Sequence, residues 1–193
     1  MEAFLVSLTT VATAEMGDRT QLLALVLAAR FRRPWPIVAG VLVATIANHA
    51  LAGVIGALIG RKLTPARLDL LVGISMIVMA LWTLKPDKLD ADKEKVSDAG
   101  AFVATLIAFF LAEIGDKTQI ATVALAAAYR NLLAVVAGTT CGMMMANVPV
   151  IFLGNAFAHR LPLKAIRYAA AALFVVIGIV FVIRSGVFEH GLS

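Results

Sequence analysis

Four carboxylates lie deep inside long apolar runs, and they come in two copies of one pattern. The first is Glu15-Met16-Gly17-Asp18-Arg19-Thr20-Gln21 and the second is Glu113-Ile114-Gly115-Asp116-Lys117-Thr118-Gln119. Of the twelve acidic residues, only these four fall far from a segment end, the charged middle loop or the tail. In hydrocarbon an ionised side chain costs about 2.5 to 3.5 kcal/mol on the insertion scale, so these acids need a use that offsets the cost. Residues three apart on a continuous helix share a face, which would put Glu15, Asp18 and Gln21 on one stripe and Glu113, Asp116 and Gln119 on another. Thr20 and Thr118 stand beside them. Gly17 and Gly115, between the acids, permit close helix approach or local unwinding.

Carboxylates, amides and hydroxyls together suit a hard cation such as Ca²⁺, Mg²⁺ or Mn²⁺. There is no thiolate or imidazole cluster for Zn²⁺ or Cu⁺, and Cys141 is the only cysteine, which also excludes an internal disulfide. Asn48 and Asn147 are placed to add amide oxygens, and Pro149 cannot donate to the carbonyl of Met145, which leaves that oxygen available to the same cavity. Arg19 and Lys117 are the only deeply placed strong bases. With both turned inward, four acids and two bases leave a charge of minus two, the match of one divalent cation or two protons. A purely structural reading joins Glu15 to Arg19 and Glu113 to Lys117 as i,i+4 pairs, but such a cluster would not need four acids for two bases. His49 is expected to make an interhelical hydrogen bond rather than relay protons. Met143 to Met145 are expected to pack, with Met143 and Met144 close enough to Asn147 to lend thioether character that tilts a site toward Mn²⁺.

The elements that position these groups follow from hydropathy. At 193 residues, 61% hydrophobic and a mean hydropathy of +0.93, the chain is too apolar for an ordinary soluble domain. The expectation is an all-α integral membrane protein with six transmembrane helices, at about 20 residues per span, over 3–31, 37–60, 68–84, 100–129, 132–158 and 163–183. A barrel lacks support because no short alternating strands appear. The first run is long enough that it must tilt, or break near Gly17. Its start lacks a basic leader region, so it reads as a retained helix, and with no targeting extension visible a prokaryotic cell membrane is the simplest address.

Residues 85–99 hold four Lys, four Asp and one Glu, the composition of a solvated linker, which divides the chain into repeat 1 (1–84) and repeat 2 (100–193). At an offset of 98 residues both motifs coincide, Ala39-Gly40 meets Ala137-Gly138 and Gly56 meets Gly154; with one residue inserted Ala47-Asn48 meets Ala146-Asn147. Because three is odd, two copies of a three-helix unit enter the membrane with opposite orientation, giving two inverted three-helix repeats, the plan of secondary transporters. Basic residues at the ends of the apolar runs account for the net charge of +5 as topology signals, not as a nucleic-acid surface. Arg30, Arg32, Arg33, Lys85, Lys88, Lys93, Lys95, Arg160, Lys164 and Arg167 gather on one side, against Arg61, Lys62, Arg67, Arg130 and Arg184 on the other. The excess places the first side, with the linker, in the cytoplasm and both termini outside. Small-residue spacings at Gly56 to Gly60 and Gly138 to Gly142 fit close helix contacts within one chain or within a homo-oligomer.

A doubled E-x-G-D-[KR]-[TS] motif in a six-helix chain with a charged central loop resembles the Gdt-type calcium/manganese transporter family of the lysine-exporter superfamily, whose members include Golgi cation/proton antiporters and bacterial manganese exporters. The resemblance covers essentially the whole chain. It implies a transporter, not an enzyme, exporting Mn²⁺ or Ca²⁺ from the cytoplasm in exchange for protons, with no cofactor beyond the transported ion. It places cation binding on Glu15, Asp18, Glu113 and Asp116, with Thr20, Gln21, Thr118 and Gln119 beside them. Eukaryotic members carry N-terminal extensions, so the bacterial branch fits better. A passive cation channel and a basic amino-acid exporter are the alternatives. An intramembrane aspartyl protease is more remote: Glu15 or Glu113 replaces the first glycine of its G-x-G-D signature, and no helix supplies the Tyr-Asp partner.

Overall fold

The computed structural model describes residues 1–85, 100–153 and 163–187, and these are helical almost throughout. Eight helices are present among them: α1 (Glu2–Glu15), α2 (Arg19–Phe31), α3 (Pro34–Lys62), α4 (Pro65–Leu84), α5 (Ala101–Glu113), α6 (Lys117–Tyr129), α7 (Leu132–Leu153) and α8 (Leu163–Arg184). Proline opens α3 and α4 at positions where a missing N–H costs nothing. A left-handed Arg32, whose N–H reaches the Ala28 carbonyl at 3.0 Å, closes α2. α3, α4, α7 and α8 are each long and apolar enough to cross a membrane, and large apolar side chains such as Leu51, Leu81, Leu111, Leu133 and Ile183 are exposed, as lipid-facing residues must be.

The runs expected as single helices over 3–31 and 100–129 are each two helices. α1 stops at Glu15 and α2 starts at Arg19; α5 stops at Glu113 and α6 starts at Lys117. For the first run a break near Gly17 is one of the two alternatives that its length leaves open, and at Gly115, as at Gly17, local unwinding is the alternative to close helix approach; the helices end at both. The cause lies in the motif, where a glycine with positive φ and an aspartate with extended backbone interrupt the i→i−4 ladder. At about 20 Å each, no half is long enough to span a hydrocarbon core of about 30 Å alone. The charged linker beyond Lys85, residues 154–158 of the fifth expected helix, with Gly154, and the end of the tail lie outside the described residues.

Packing follows close backbone approaches at glycines. A Cβ on Gly40 of α3 would sit 2.9 Å from the Phe102 carbonyl and 2.8 Å from the Thr105 Cβ of α5. A Cβ on Gly138 of α7 would sit 2.4 Å from the Phe4 carbonyl and 2.9 Å from the Ser7 Cβ of α1. Each residue in the second set lies 98 positions from its equivalent in the first, so the offset seen in sequence is also an offset in contacts. α1 therefore runs alongside α7, and α5 alongside α3, each pair parallel. α4 and α8 pair antiparallel through Gly73 and Gly178, whose Cβ positions each meet the other's carbonyl within 2.9 Å. Two apolar cores flank the breaks. One joins Met76, Leu125, Phe174 and Phe181; the other joins Leu23, Leu27, Ile37, Val41 and Phe109.

Candidate functional site

Both breaks are built the same way. Met16 and Ile114 are extended (φ −65°, ψ 117° and φ −62°, ψ 120°), Gly17 and Gly115 take φ +79° and +73°, and Asp18 and Asp116 are extended N-caps (φ −81°, ψ 167° and φ −76°, ψ 162°). Asp18 N–H reaches back to the Glu15 carbonyl and Asp116 N–H to that of Glu113, both at 3.1 Å. Gly17 N–H donates to Gln21 Oε1 at 2.9 Å, and Gly115 N–H to Gln119 Oε1 at 2.8 Å. Each glutamine thus satisfies an amide that the break would leave unpaired, which is capping-box logic displaced by one residue. Gln21 also donates from Nε2 to the Ala146 carbonyl of α7 at 2.8 Å.

The break turns its acids inward. Glu15, Asp18, Glu113 and Asp116 are all buried, and one carboxylate oxygen from each of Glu15, Glu113 and Asp116 lies within 4.8 Å of the others. They do not form a stripe on one helix; Glu15 and Glu113 end helices whose successors Asp18 and Asp116 begin. Thr20 Oγ1 donates to Glu15 Oε2 at 2.5 Å, and Thr118 Oγ1 donates to Glu113 Oε2 at 3.1 Å. Glu15 Oε1 and Glu113 Oε1 are buried with no hydrogen-bond partner among the described residues.

The bases pair across the two motifs. Arg19 Nη2 donates to Asp116 Oδ1 at 2.9 Å and to the Ala112 carbonyl at 2.7 Å, while Lys117 Nζ pairs with Asp18 Oδ1. The purely structural reading, with Glu15 joined to Arg19 and Glu113 to Lys117 at i,i+4, is thus not what pairs these bases with the aspartates. The helical register that reading requires is lost at the glycines, and each base reaches the aspartate of the other copy. The two pairs differ in setting: the Arg19 side chain is 34% exposed and that of Lys117 is 3% exposed.

Asn48 Nδ2 donates to the Phe110 carbonyl of α5 at 3.1 Å, and Asn147 Nδ2 donates to the Met143 carbonyl at 3.1 Å and lies 3.0 Å from Met143 Sδ. Both Oδ1 atoms are buried and lack a partner among the described residues. Met143 is buried while Met145 is exposed, so of the three methionines it is Met143 that touches Asn147. His49 is fully buried, and the interhelical bond expected of it is not formed among the described residues, where neither ring nitrogen has a hydrogen-bond partner.

A polar crevice of about 10 Å³ reaches the first break, room for about one water. Its lining includes Asp18, Lys117, Gly17, Thr13, Thr83 and Arg167. Sequence reasoning missed Thr83 and Arg167 as neighbours of the motif, because both lie at ends of apolar runs and only the folding of α4 and α8 beside the break brings them there.

In chemical terms the cluster gathers four carboxylates against two bases and two hydroxyl donors. Buried polar atoms are normally satisfied, and Glu15 Oε1, Glu113 Oε1, Asn48 Oδ1 and Asn147 Oδ1 are among the buried atoms that lack a partner in the described residues. Oxygens bound to one hard cation at about 2.0 to 2.6 Å lie no more than about 5 Å apart, which the three-acid cluster meets.

The family model described as "Divalent cation/proton antiporter GDT1" matches residues 3–91 and 101–187. A Vibrio cholerae protein named "Putative manganese exporter" is 50% identical over 180 residues, covering 93% of this chain and 90% of that one. The "GDT1-like protein sll0615" of Synechocystis is 28% identical over 204 residues, 93% of this chain and 96% of that one. "Protein PAM71, chloroplastic" of Arabidopsis thaliana is 28% identical over 203 residues, 88% of this chain and 53% of that one. No solved structure matches the chain.

Proposed function

The chain belongs to the divalent cation/proton antiporter family GDT1, and from that premise we propose that it exports a divalent cation, Mn²⁺ in preference to Ca²⁺, from the cytoplasm in exchange for protons. The observation that carries the reading is the convergence of Glu15, Glu113 and Asp116 oxygens within 4.8 Å in a buried cluster with unpartnered acceptors. These three acids hold the ion. Asp18 joins them when Lys117 gives it up, and Asn48 and Asn147 offer their Oδ1 atoms nearby. Gln21 and Gln119 keep the breaks open, and Thr20 and Thr118 orient the glutamates. The similarity to a protein named as a manganese exporter and the contact of Met143 with Asn147 favour Mn²⁺ over Ca²⁺.

Exchange follows from charge balance. The four acids with Arg19 and Lys117 sum to minus two, which either one divalent cation or two protons neutralises. A carrier that alternates between these loads moves no unpaired charge through low dielectric.

In the proposed membrane arrangement, α1 with α2, α3 and α4 make three passes, and α5 with α6, α7 and α8 make three more in the opposite sense. Parallel packing of α1 on α7 and α5 on α3 supports this inverted plan, as does the broken helix at the equivalent place in each half. The basic asymmetry supports an orientation in a cell membrane with the ends of α2 and α4 and the start of α8 on the cytoplasmic side and both termini outside. Growth of an exporter-deficient host on high manganese tests the substrate. Wild-type protein should restore tolerance, whereas Glu15→Gln and Glu113→Gln, inserted at normal levels, should not. Rescue on calcium and none on manganese would reverse the assignment.

A further inference from the structure

The crevice beside Asp18 is lined by a second basic side chain besides Lys117: Arg167, half-buried near the start of α8. Thr83, near the end of α4, lines it too, and its buried hydroxyl has no partner among the described residues. At the other end of the α4–α8 pair the basic residue is differently placed, Arg184 pairing with Asp69 at 3.6 Å.

We propose that Arg167 controls access: it raises the concentration of divalent cation needed to load the site from the end where α4 stops and α8 starts, without being a ligand. The inference rests on the reading above in which Asp18 serves the cation site. A guanidinium stays charged at any relevant pH, and a fixed positive charge in a narrow, poorly solvated mouth lowers the local concentration of cations. The repulsion bears on an ion in passage through the Asp18 crevice, so it should weigh on loading from one side and spare the other. At the cytoplasmic end this makes export a response to high metal rather than a steady drain.

The test compares Mn²⁺ uptake in everted and right-side-out membrane vesicles. Arg167→Gln should lower the half-saturating Mn²⁺ about tenfold in everted vesicles, where the cytoplasmic face is outward, equivalent to about 1.4 kcal/mol. Maximal rate and the right-side-out value should be unchanged, Arg167→Lys should behave as wild type, and added salt should narrow the difference. If Arg167→Gln inserts poorly, Arg167→Cys in a Cys141→Ser background gives the same reading, with a cationic thiol reagent restoring the high value and a neutral one leaving it low. An unchanged half-saturation in everted vesicles, or an equal shift on both sides, would overturn the proposal while leaving the exporter reading intact. Absence of Mn²⁺ transport by the wild type would instead remove that reading and this inference together.

Discussion

Lys117 and Arg19 occupy the same place in their motifs, yet they hold their aspartates under different conditions. Lys117 meets Asp18 in a nearly closed environment, and Arg19 meets Asp116 with a third of its side chain exposed. Removing one partner from a buried ion pair costs about 3 to 5 kcal/mol, whereas replacing both with apolar or neutral groups costs far less. Lys117→Met is therefore expected to lower thermal stability in detergent much more than Arg19→Met, and adding Asp18→Asn to Lys117→Met should recover most of the loss. Equal losses for the two single variants would contradict the difference in burial. Recovery of stability should not bring recovery of transport, since the double variant lacks an acid assigned to the ion.

At the scale of the element, the broken helices are held by a glycine and a glutamine in each copy. An L side chain at φ +79° or +73° is strained by about 1 to 2 kcal/mol, so Gly17→Ala and Gly115→Ala should each destabilise by that amount. Gln21→Leu leaves the part-buried Gly17 N–H without its acceptor and should cost about 1 to 3 kcal/mol, and Gln119→Leu, at the exposed Gly115 N–H, about 0.5 to 1.5 kcal/mol. All four are expected to slow transport by misplacing the neighbouring acids, read as maximal rate against thermal midpoint. A full rate in the destabilised variants would show that the breaks do not set the geometry. The apolar runs, their repeat and the inward acids were legible in sequence because hydropathy and charge act over whole segments. The crossed ion pairs were not, because which acid each base meets depends on how the two broken helices face one another. A local signal for the breaks was present: Asp18 and Gln21, like Asp116 and Gln119, have the spacing of an N-cap and its third helical residue, directly after a glycine. The partners of Asn48 and the isolation of His49 depend on which helix lies alongside α3, and single-chain periodicity carries no such information.

Taken as a whole molecule, the chain is two similar halves that interlock, α1 against α7 and α5 against α3, so that neither motif has a complete environment without the other half. Orientation is the first property to check at this scale. Cysteine introduced at Ser97, in a Cys141→Ser background, should react with an impermeant reagent only from the cytoplasmic side, and reaction in intact cells would invert the assignment and with it the side on which Arg167 acts. In the proposed mechanism one buried site alternates between a divalent cation and protons. This alternation is tested most directly in proteoliposomes, by recording internal pH and membrane potential during Mn²⁺ flux with Ca²⁺ and Mg²⁺ for comparison. An imposed pH gradient should drive Mn²⁺ movement, with about two protons countermoving per ion from the minus-two charge balance, and little current. Mn²⁺ flux with no proton movement, or with a large current per ion, would contradict it.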